Sequence, residues 1–234
     1  MPGLIHQADG SAAAAQGALA RAQQAWQESM LRQVNDLRDG LRLREPAKLA
    51  RRAAGRFDGQ ALWIAYWGTD LRLDWPALEV TRSGQPASVF DTAMLLYYLT
   101  TASGAPRADR WVGYRDLPGG NFYERAFQGY SGDRMAKAFG NCPDEFEAAA
   151  RALGGMSLPA LAEHAFAFQP LPRISLAGLL WPGDDEFPAR ASVLFDAAAC
   201  EYMTIDGLAL LGGGLAGRLI ARRTSGTLAS KDDS

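Results

Sequence analysis

The segment from Ser88 to Thr101 constrains the fold most, because it is apolar on nearly every helical face. Ser88 with Asp91 three residues on is typical of a helix start, and Gly104 follows the segment. A helix without a polar face must be surrounded by other elements. We therefore expect the sheet and the other helices to pack around it, with the leucines Leu95, Leu96 and Leu99 almost fully buried. The hydroxyls of Tyr97 and Tyr98 should then find partners, and the polar turn Asp184–Glu186 is the expected source.

The N-terminal region carries a single apolar stripe. Between Ser11 and Arg44 the residues Trp26, Met30, Val34, Leu37 and Leu41 recur at steps of three or four, which predicts one long helix. A stripe of this width normally faces the core of its own domain, and a partner-binding arm is the alternative. The predicted organisation is a tail and helical arm at residues 1–44, one domain at residues 45–223 and a polar, disordered tail at residues 224–234.

The remaining pattern mixes strands with short helices. Alternating residues predict a three-stranded antiparallel meander from Ala61 to Thr81. Two apolar runs, Ile174–Leu180 and Ala191–Phe195, predict buried strands joined by an acidic turn, and Trp111–Tyr114 a further extended piece. A short helix is predicted at Leu158–His164. The fold class is α+β, with a small, mostly antiparallel sheet packed by helices and an N-terminal helical arm.

Length and charge exclude several function classes. The chain has 234 residues, which suits one domain, and a formal net charge of −2, which does not favour a nucleic-acid surface. No apolar run is long enough to span a membrane, and the start lacks the basic region of a signal peptide, so we expect a cytoplasmic protein. Two cysteines without a C-x-x-C motif do not suggest a transition-metal site.

Two blocks of sequence carry a resemblance. They are W-V-G-Y-R-D-L-P-G-G-N-F-Y-E-R-A-F, residues 111–127, and W-P-G-D-D-E-F-P-A-R-A-S-V-L-F-D, residues 181–196. In order and spacing they resemble DUF3786, a bacterial and archaeal domain of unknown function, over roughly residues 45–220. Some relatives carry this domain beside a small iron–sulfur segment of the kind found in corrinoid proteins, which this chain lacks. Relatives often have histidine where this chain has Tyr97, so a role tied to that histidine is in doubt here.

The acidic turn is the first candidate site. Asp184, Asp185 and Glu186, with Asp196 nearby, could gather oxygen ligands around a hard cation. The favoured alternative is a solvated turn whose carboxylates cap backbone N–H groups or pair with arginines. In either case we expect a guanidinium of Arg115 or Arg125 within about 4 Å of one of these carboxylates.

The glycine-rich loop and the aromatic residues are the next candidates. Gly119 and Gly120 precede a predicted helix, whose N–H groups could bind an anion with help from Arg115 and Arg125, although a tight turn is the commoner use of Gly-Gly. Aromatic side chains could also line a cleft for a planar ligand such as a tetrapyrrole, or could form an aromatic core. These are Trp63, Trp67, Tyr97, Tyr98, Trp111, Tyr114, Phe122, Tyr123 and Trp181.

Nucleophilic catalysis has little support in the sequence. Such a device would have to use His164, and no G-x-S-x-G motif accompanies it. A partly buried histidine hydrogen-bonded to the backbone is the favoured interpretation. Cys200 follows three alanines and is expected to pack as a small hydrophobic residue.

Two functions follow from these observations. The first is a non-enzymatic binding or accessory protein for a cofactor or a metalloprotein partner, as the resemblance implies. The alternative is an enzyme with a carboxylate acid/base or hard-metal site, including Asp116, in a cleft between residues 111–127 and 181–196. No catalytic residue, metal ligand or specific cofactor is assigned. The candidate ligand-binding residues are Arg115, Gly119, Gly120, Tyr123, Arg125, Trp181, Asp184, Asp185, Glu186 and Asp196.

Overall fold

The computed structural model describes residues 6–229, without the side chains of residues 6–20, 22, 23 and 224–229. The α-helices are α1 (His6–Arg42), α2 (Pro46–Arg52), α3 (Val89–Thr101), α4 (Glu124–Tyr130), α5 (Gly132–Phe139), α6 (Pro143–Ala152) and α7 (Ile205–Ala229). The strands are β1 (Arg56–Phe57), β2 (Ala61–Tyr66), β3 (Thr69–Asp74), β4 (Val80–Arg82), β5 (Gln85–Pro86), β6 (Trp111–Gly113), β7 (Met156–Ser157), β8 (His164–Leu171), β9 (Ile174–Trp181) and β10 (Arg190–Asp196).

The strands form two antiparallel sheets. The first has the order β1-β2-β3-β4-β5, so the predicted meander is confirmed as β2–β4 and is extended at each side by a two-residue strand. The second has the order β6-β10-β9-β8-β7 and contains the predicted hairpin of β9 and β10. The α+β class is thus confirmed, with two five-stranded sheets where the sequence pattern predicted one.

Helix α3 lies at the centre of the core, as its apolar faces predict. Leu95, Leu96 and Leu99 are all 0% exposed, and the Ser88 hydroxyl accepts a hydrogen bond from the Asp91 N–H at the start of the helix. The predicted partners of the tyrosine hydroxyls were wrong. Tyr98 donates to the carbonyl of Ala53, the residue after α2, at 2.7 Å, and Tyr97 donates to Gln33 of α1, which packs on α3.

Helix α1 packs on its own domain. Its apolar stripe buries Met30, Val34 and Leu41 in the common core, with Leu37 packed against it. Trp26, at the start of the stripe, stays 43% exposed and stacks on Phe90 with ring centroids 6.4 Å apart. The stripe therefore has the core-facing role that its width indicates.

Some predicted boundaries differ from the structure. The segment Leu158–His164 forms turns and the first residue of β8 instead of a helix, because the Leu158 N–H donates to the Ala165 carbonyl and β7 pairs with β8. Helix α7 continues past the predicted end at Arg223 to Ala229. Of the two predicted tails, residues 1–5 and 230–234 lie outside the described residues.

Glycines let α7 approach its neighbours closely. A Cβ on Gly212 would lie 2.7 Å from the Phe127 ring, and one on Gly213 would lie 2.9 Å from the Tyr130 ring. The aromatic side chains of α4 therefore rest directly on the α7 backbone.

Over residues 6–229, none of the helices combines the length and the apolar character that crossing a bilayer requires.

Candidate functional site

The two signature blocks meet along one strand pair. Strand β6 pairs with β10, so that Trp111 lies opposite Asp196 and Gly113 lies opposite Leu194. The acidic turn lies at the other end of β10, beyond Arg190. Leu194, opposite Gly113, is four residues from Arg190. At about 3.3 Å per residue, the two are about 13 Å apart along β10. The blocks are therefore neighbours, and the turn begins beyond the part of β10 that pairs with β6.

Two carboxylates of the second block accept hydrogen bonds from backbone N–H groups. One oxygen of Asp184 accepts hydrogen bonds from the N–H groups of Glu186 and Phe187 at 2.9 and 2.7 Å, and these bonds hold the pKa of Asp184 below its ordinary value. Asp196 is buried and accepts from the N–H groups of Ala108 and Ala198 at 3.0 and 2.9 Å. Both carboxylates thus act as caps, the use favoured above for the acidic turn.

No cation site is assembled from these residues. Asp185 and Glu186 are exposed on the turn, and Asp116 is exposed in the other block. Across the described part of the chain, no three or more His, Cys, Asp or Glu residues come close enough to hold a metal ion.

The expected ion pair between the two blocks is absent. Arg115 pairs with Glu124 at 3.6 Å, and Arg125 is exposed and makes no ion pair with any described residue. The prediction was wrong because β6 pairs only with residues 194–196 of β10, so the pairing brings neither arginine to the turn. Trp181, beside the turn, is covered instead by the guanidinium of Arg190, 5.8 Å from its ring centroid.

The two glycines of the first block are required by the backbone. Gly119 has φ of 82°, in the left-handed region that favours glycine. A Cβ on Gly120 would collide with the Tyr114 carbonyl oxygen. The tight turn that results folds the chain back, so that Tyr114 and Tyr123 face one space.

That space is a groove of about 600 Å³, the tyrosine groove, between α1, α3, α4 and the first turn of α7. Its aromatic lining comes from four tyrosines and one tryptophan, and its charged lining is a single carboxylate. The described lining residues are Trp26, Ser29, Met30, Gln33, Tyr97, Tyr114, Tyr123, Ala126, Tyr130, Thr204, Asp206, Ala209 and Leu210.

Two tyrosine rings of the groove pack against Phe127. Tyr114 stacks on Phe127 with centroids 4.3 Å apart and donates to the Ile205 carbonyl at 3.3 Å. Tyr130 meets Phe127 edge-on at 5.7 Å. Tyr123 is 57% exposed at the mouth. Phe127 therefore fixes two of the walls, while Tyr123 is open to solvent.

The aromatic cleft predicted from sequence is thus found only in part. Tyr97, Tyr114 and Tyr123 line the groove, whereas the other six aromatic residues proposed for it do not. Trp26 and Tyr130 were missed. Trp26 was assigned to the core stripe of α1, and only its partial exposure in the folded protein reveals that it borders a groove.

The environment of the groove disfavours the ionised form of three of its tyrosines. Burial raises the pKa of Tyr114 to about 12, with smaller effects from the neighbouring Tyr130 and Asp206. Burial, followed by the charge of Asp206, also raises the pKa of Tyr97 and of Tyr130. The groove therefore presents phenol hydroxyls and one carboxylate.

The raised pKa values predict a loss of stability in alkali. Burial also raises the pKa of the core residues Tyr66 and Tyr98. The folded protein binds these protons more tightly than the unfolded chain, whose tyrosines titrate near pH ~10. The stability that these tyrosines contribute should be fully present below pH ~10 and should be lost as the pH rises through about 12, the pKa of Tyr114.

Chemical denaturation followed by circular dichroism over a pH series would measure this loss. Tyr114→Phe should show a shallower decline than the wild type, because it removes one of the contributing protons. A free energy of unfolding that does not change between pH ~9 and ~12 would contradict the prediction.

The histidine and the cysteine do not form a nucleophilic pair. His164 is partly buried as expected, but its Nδ1 lies 2.9 Å from a carboxylate oxygen of Glu147, not a backbone group. This contact is the main cause of the lowered pKa of Glu147, and Arg151 adds to it. Cys200 is partly buried, and burial raises the pKa of its thiol, which disfavours the reactive thiolate.

Comparison with known proteins adds one result. No curated protein and no solved structure matches the chain significantly. The family described as "Domain of unknown function (DUF3786)" matches residues 45–218. That range contains both signature blocks and every wall of the tyrosine groove except α1. The chain therefore belongs to the DUF3786 family.

Proposed function

We propose that the protein is a non-enzymatic binding protein that holds a planar, cofactor-sized ligand in the tyrosine groove. The observation that carries the proposal is the aromatic lining of a groove of about 600 Å³. Ligand sites of ~300–1,000 Å³ with aromatic walls and a few polar groups are typical of small-molecule binding. An accessory role toward a metalloprotein partner belongs to the same proposal, since a planar cofactor is passed to the enzyme that uses it.

The partial exposure of the rings supports binding over mere core packing. Trp26, Tyr123 and Tyr130 are 43%, 57% and 37% exposed, although each is a large aromatic side chain. Exposing such area to water is unfavourable, and a ligand stacked on the rings would cover it. Core aromatics of the same protein, such as Tyr98 and Phe146, are 0% exposed.

The distribution of the carboxylates favours binding over catalysis. Asp184 and Asp196 are committed to backbone N–H groups, and neither they nor Asp185 and Glu186 line the groove. A general acid and base must both reach the reacting atoms. Beside its tyrosine hydroxyls the groove offers one carboxylate, Asp206, and no histidine, cysteine, lysine or second carboxylate among its described lining residues.

Titration with two planar quinolines would test the proposal. The probes are lepidine, which is neutral in mild alkali, and N-methylquinolinium, which is permanently cationic. We expect saturable quenching of tryptophan fluorescence by at least one of them. Tyr123→Ala should weaken that binding about threefold to tenfold, the value of one aromatic contact.

Phe122→Ala is the matched control, because Phe122 is the neighbouring residue, is 83% exposed and does not line the groove. It should leave the affinity unchanged. The proposal fails if neither quinoline binds saturably, or if Phe122→Ala weakens binding as much as Tyr123→Ala does.

A further inference from the structure

The charges and rings of the tyrosine groove point to a ligand class. We infer that the groove binds an organic cation, a quaternary or protonated nitrogen on a planar frame, seated between the tyrosine rings and the Asp206 carboxylate. This inference rests on the proposed binding function and adds the charge of the ligand to it.

Asp206 is the only charged residue among the described residues that line the groove. It is exposed in the first turn of α7, and its carboxylate forms no ion pair or hydrogen bond with any described residue. The groove therefore contains a negative charge that the described protein residues leave uncompensated.

The aromatic walls favour the same class of ligand. The face of an aromatic ring is the negative end of its quadrupole, and a cation within about 6 Å of the ring centre is attracted to it. Five aromatic residues, Trp26, Tyr97, Tyr114, Tyr123 and Tyr130, surround the groove from different elements. Several rings around one site, with a carboxylate, is the arrangement that recognises alkylated ammonium groups.

The other charge classes fit less well. An anionic ligand would face Asp206, and no Lys, Arg or His is present among the described lining residues to offset the repulsion. A neutral ring would cover Asp206 without giving it a partner, and burying an unpaired charge is unfavourable. A cation satisfies both the carboxylate and the rings.

Asp206 faces tyrosines of two other helices across the groove. Tyr97 lies on α3 and Tyr130 on α4, and the charge of Asp206 is the second cause, after burial, of the raised pKa of each. The same field that disfavours a phenolate at these two walls favours a positive charge between them.

The two quinolines separate charge from shape, because they share a ring system and differ in a positive charge. N-methylquinolinium should bind at least about tenfold more tightly than lepidine at mildly alkaline pH and low ionic strength. Asp206→Asn should weaken N-methylquinolinium binding about tenfold and leave lepidine binding nearly unchanged. Asp70→Asn, which neutralises an exposed carboxylate outside the groove lining, should affect neither.

The outcomes distinguish this inference from the function on which it rests. If both quinolines bind with equal affinity and Asp206→Asn changes neither, the binding function stands and the inferred charge is wrong. If neither binds, the binding function itself is wrong. A preference for the cation that persists in Asp206→Asn but is lost in Asp70→Asn would also overturn the inference, because the selectivity would then arise outside the groove.

Discussion

Leu96→Ala is expected to lower the free energy of unfolding by about 2–5 kcal/mol, the range for a core leucine. Leu96 is 0% exposed and lies in the middle of α3, which α1 and α7 both contact. Removing its isobutyl group loses buried apolar area and leaves a cavity that packed helices cannot readily close. Because a domain of this size is stabilised by only about 5–15 kcal/mol, the loss should be easily measured by urea denaturation.

Leu43→Ala provides the control for this measurement. Leu43 is 92% exposed just after α1, so the same chemical change there should cost under about 0.5 kcal/mol. If Leu96→Ala lowers the free energy by less than about 1 kcal/mol, α3 is not the centre of the core and the packing described above is wrong.

Asp91→Asn is expected to lower the free energy of unfolding by about 2–3 kcal/mol, because Asp91 bridges two arginines. Its carboxylate oxygens lie 3.3 Å from Arg82 and 3.2 Å from Arg218, and its side chain is only 12% exposed. This bridge joins the start of α3 to β4 and to α7. Without the negative charge, the two guanidiniums, which both lie over the Tyr66 ring, repel each other.

The expected loss of unfolding free energy in Asp91→Asn is smaller than the ~3–5 kcal/mol of fully buried pairs, because the arginine side chains remain 31% and 29% exposed.

Asp74→Asn is the matched control. Asp74 pairs with Arg72 at 2.7 Å, but both side chains are about a third exposed, at 31% and 39%. That pair should contribute about 1 kcal/mol or less. Equal losses for the two variants, measured by denaturation in low salt, would contradict a structural bridge at Asp91.

Local pattern was sufficient where neighbouring residues in the chain decide the structure. The apolar faces of α3 required it to be buried, and the Ser88 cap was visible as S-x-x-D. The alternation in Ala61–Thr81 predicted the meander, since consecutive antiparallel strands pair through short turns. The two apolar runs around the acidic turn predicted the β9–β10 hairpin for the same reason.

Local pattern failed where two distant segments meet. The ion pair between the signature blocks was inferred from charge, but Arg115 pairs with Glu124 of its own block. Likewise, the hydroxyls of Tyr97 and Tyr98 take their partners from α1 and from the residue after α2, which sequence proximity does not reveal. A sequence does not show how far apart two charged residues lie in the folded protein. Opposite charge alone therefore cannot identify which distant residues form a pair.

The sequence by itself determined the meander, the β9–β10 hairpin and the burial of α3, and that the chain carries the signature of its family. Only the tertiary structure decided the site. The tyrosine groove draws its walls from α1, α3, α4 and α7, and each ring there has the ordinary apolar character of a core residue. Whether such a ring is buried or borders a groove depends on how closely the helices approach, and that is fixed by contacts such as Phe127 on Gly212, between residues far apart in the chain.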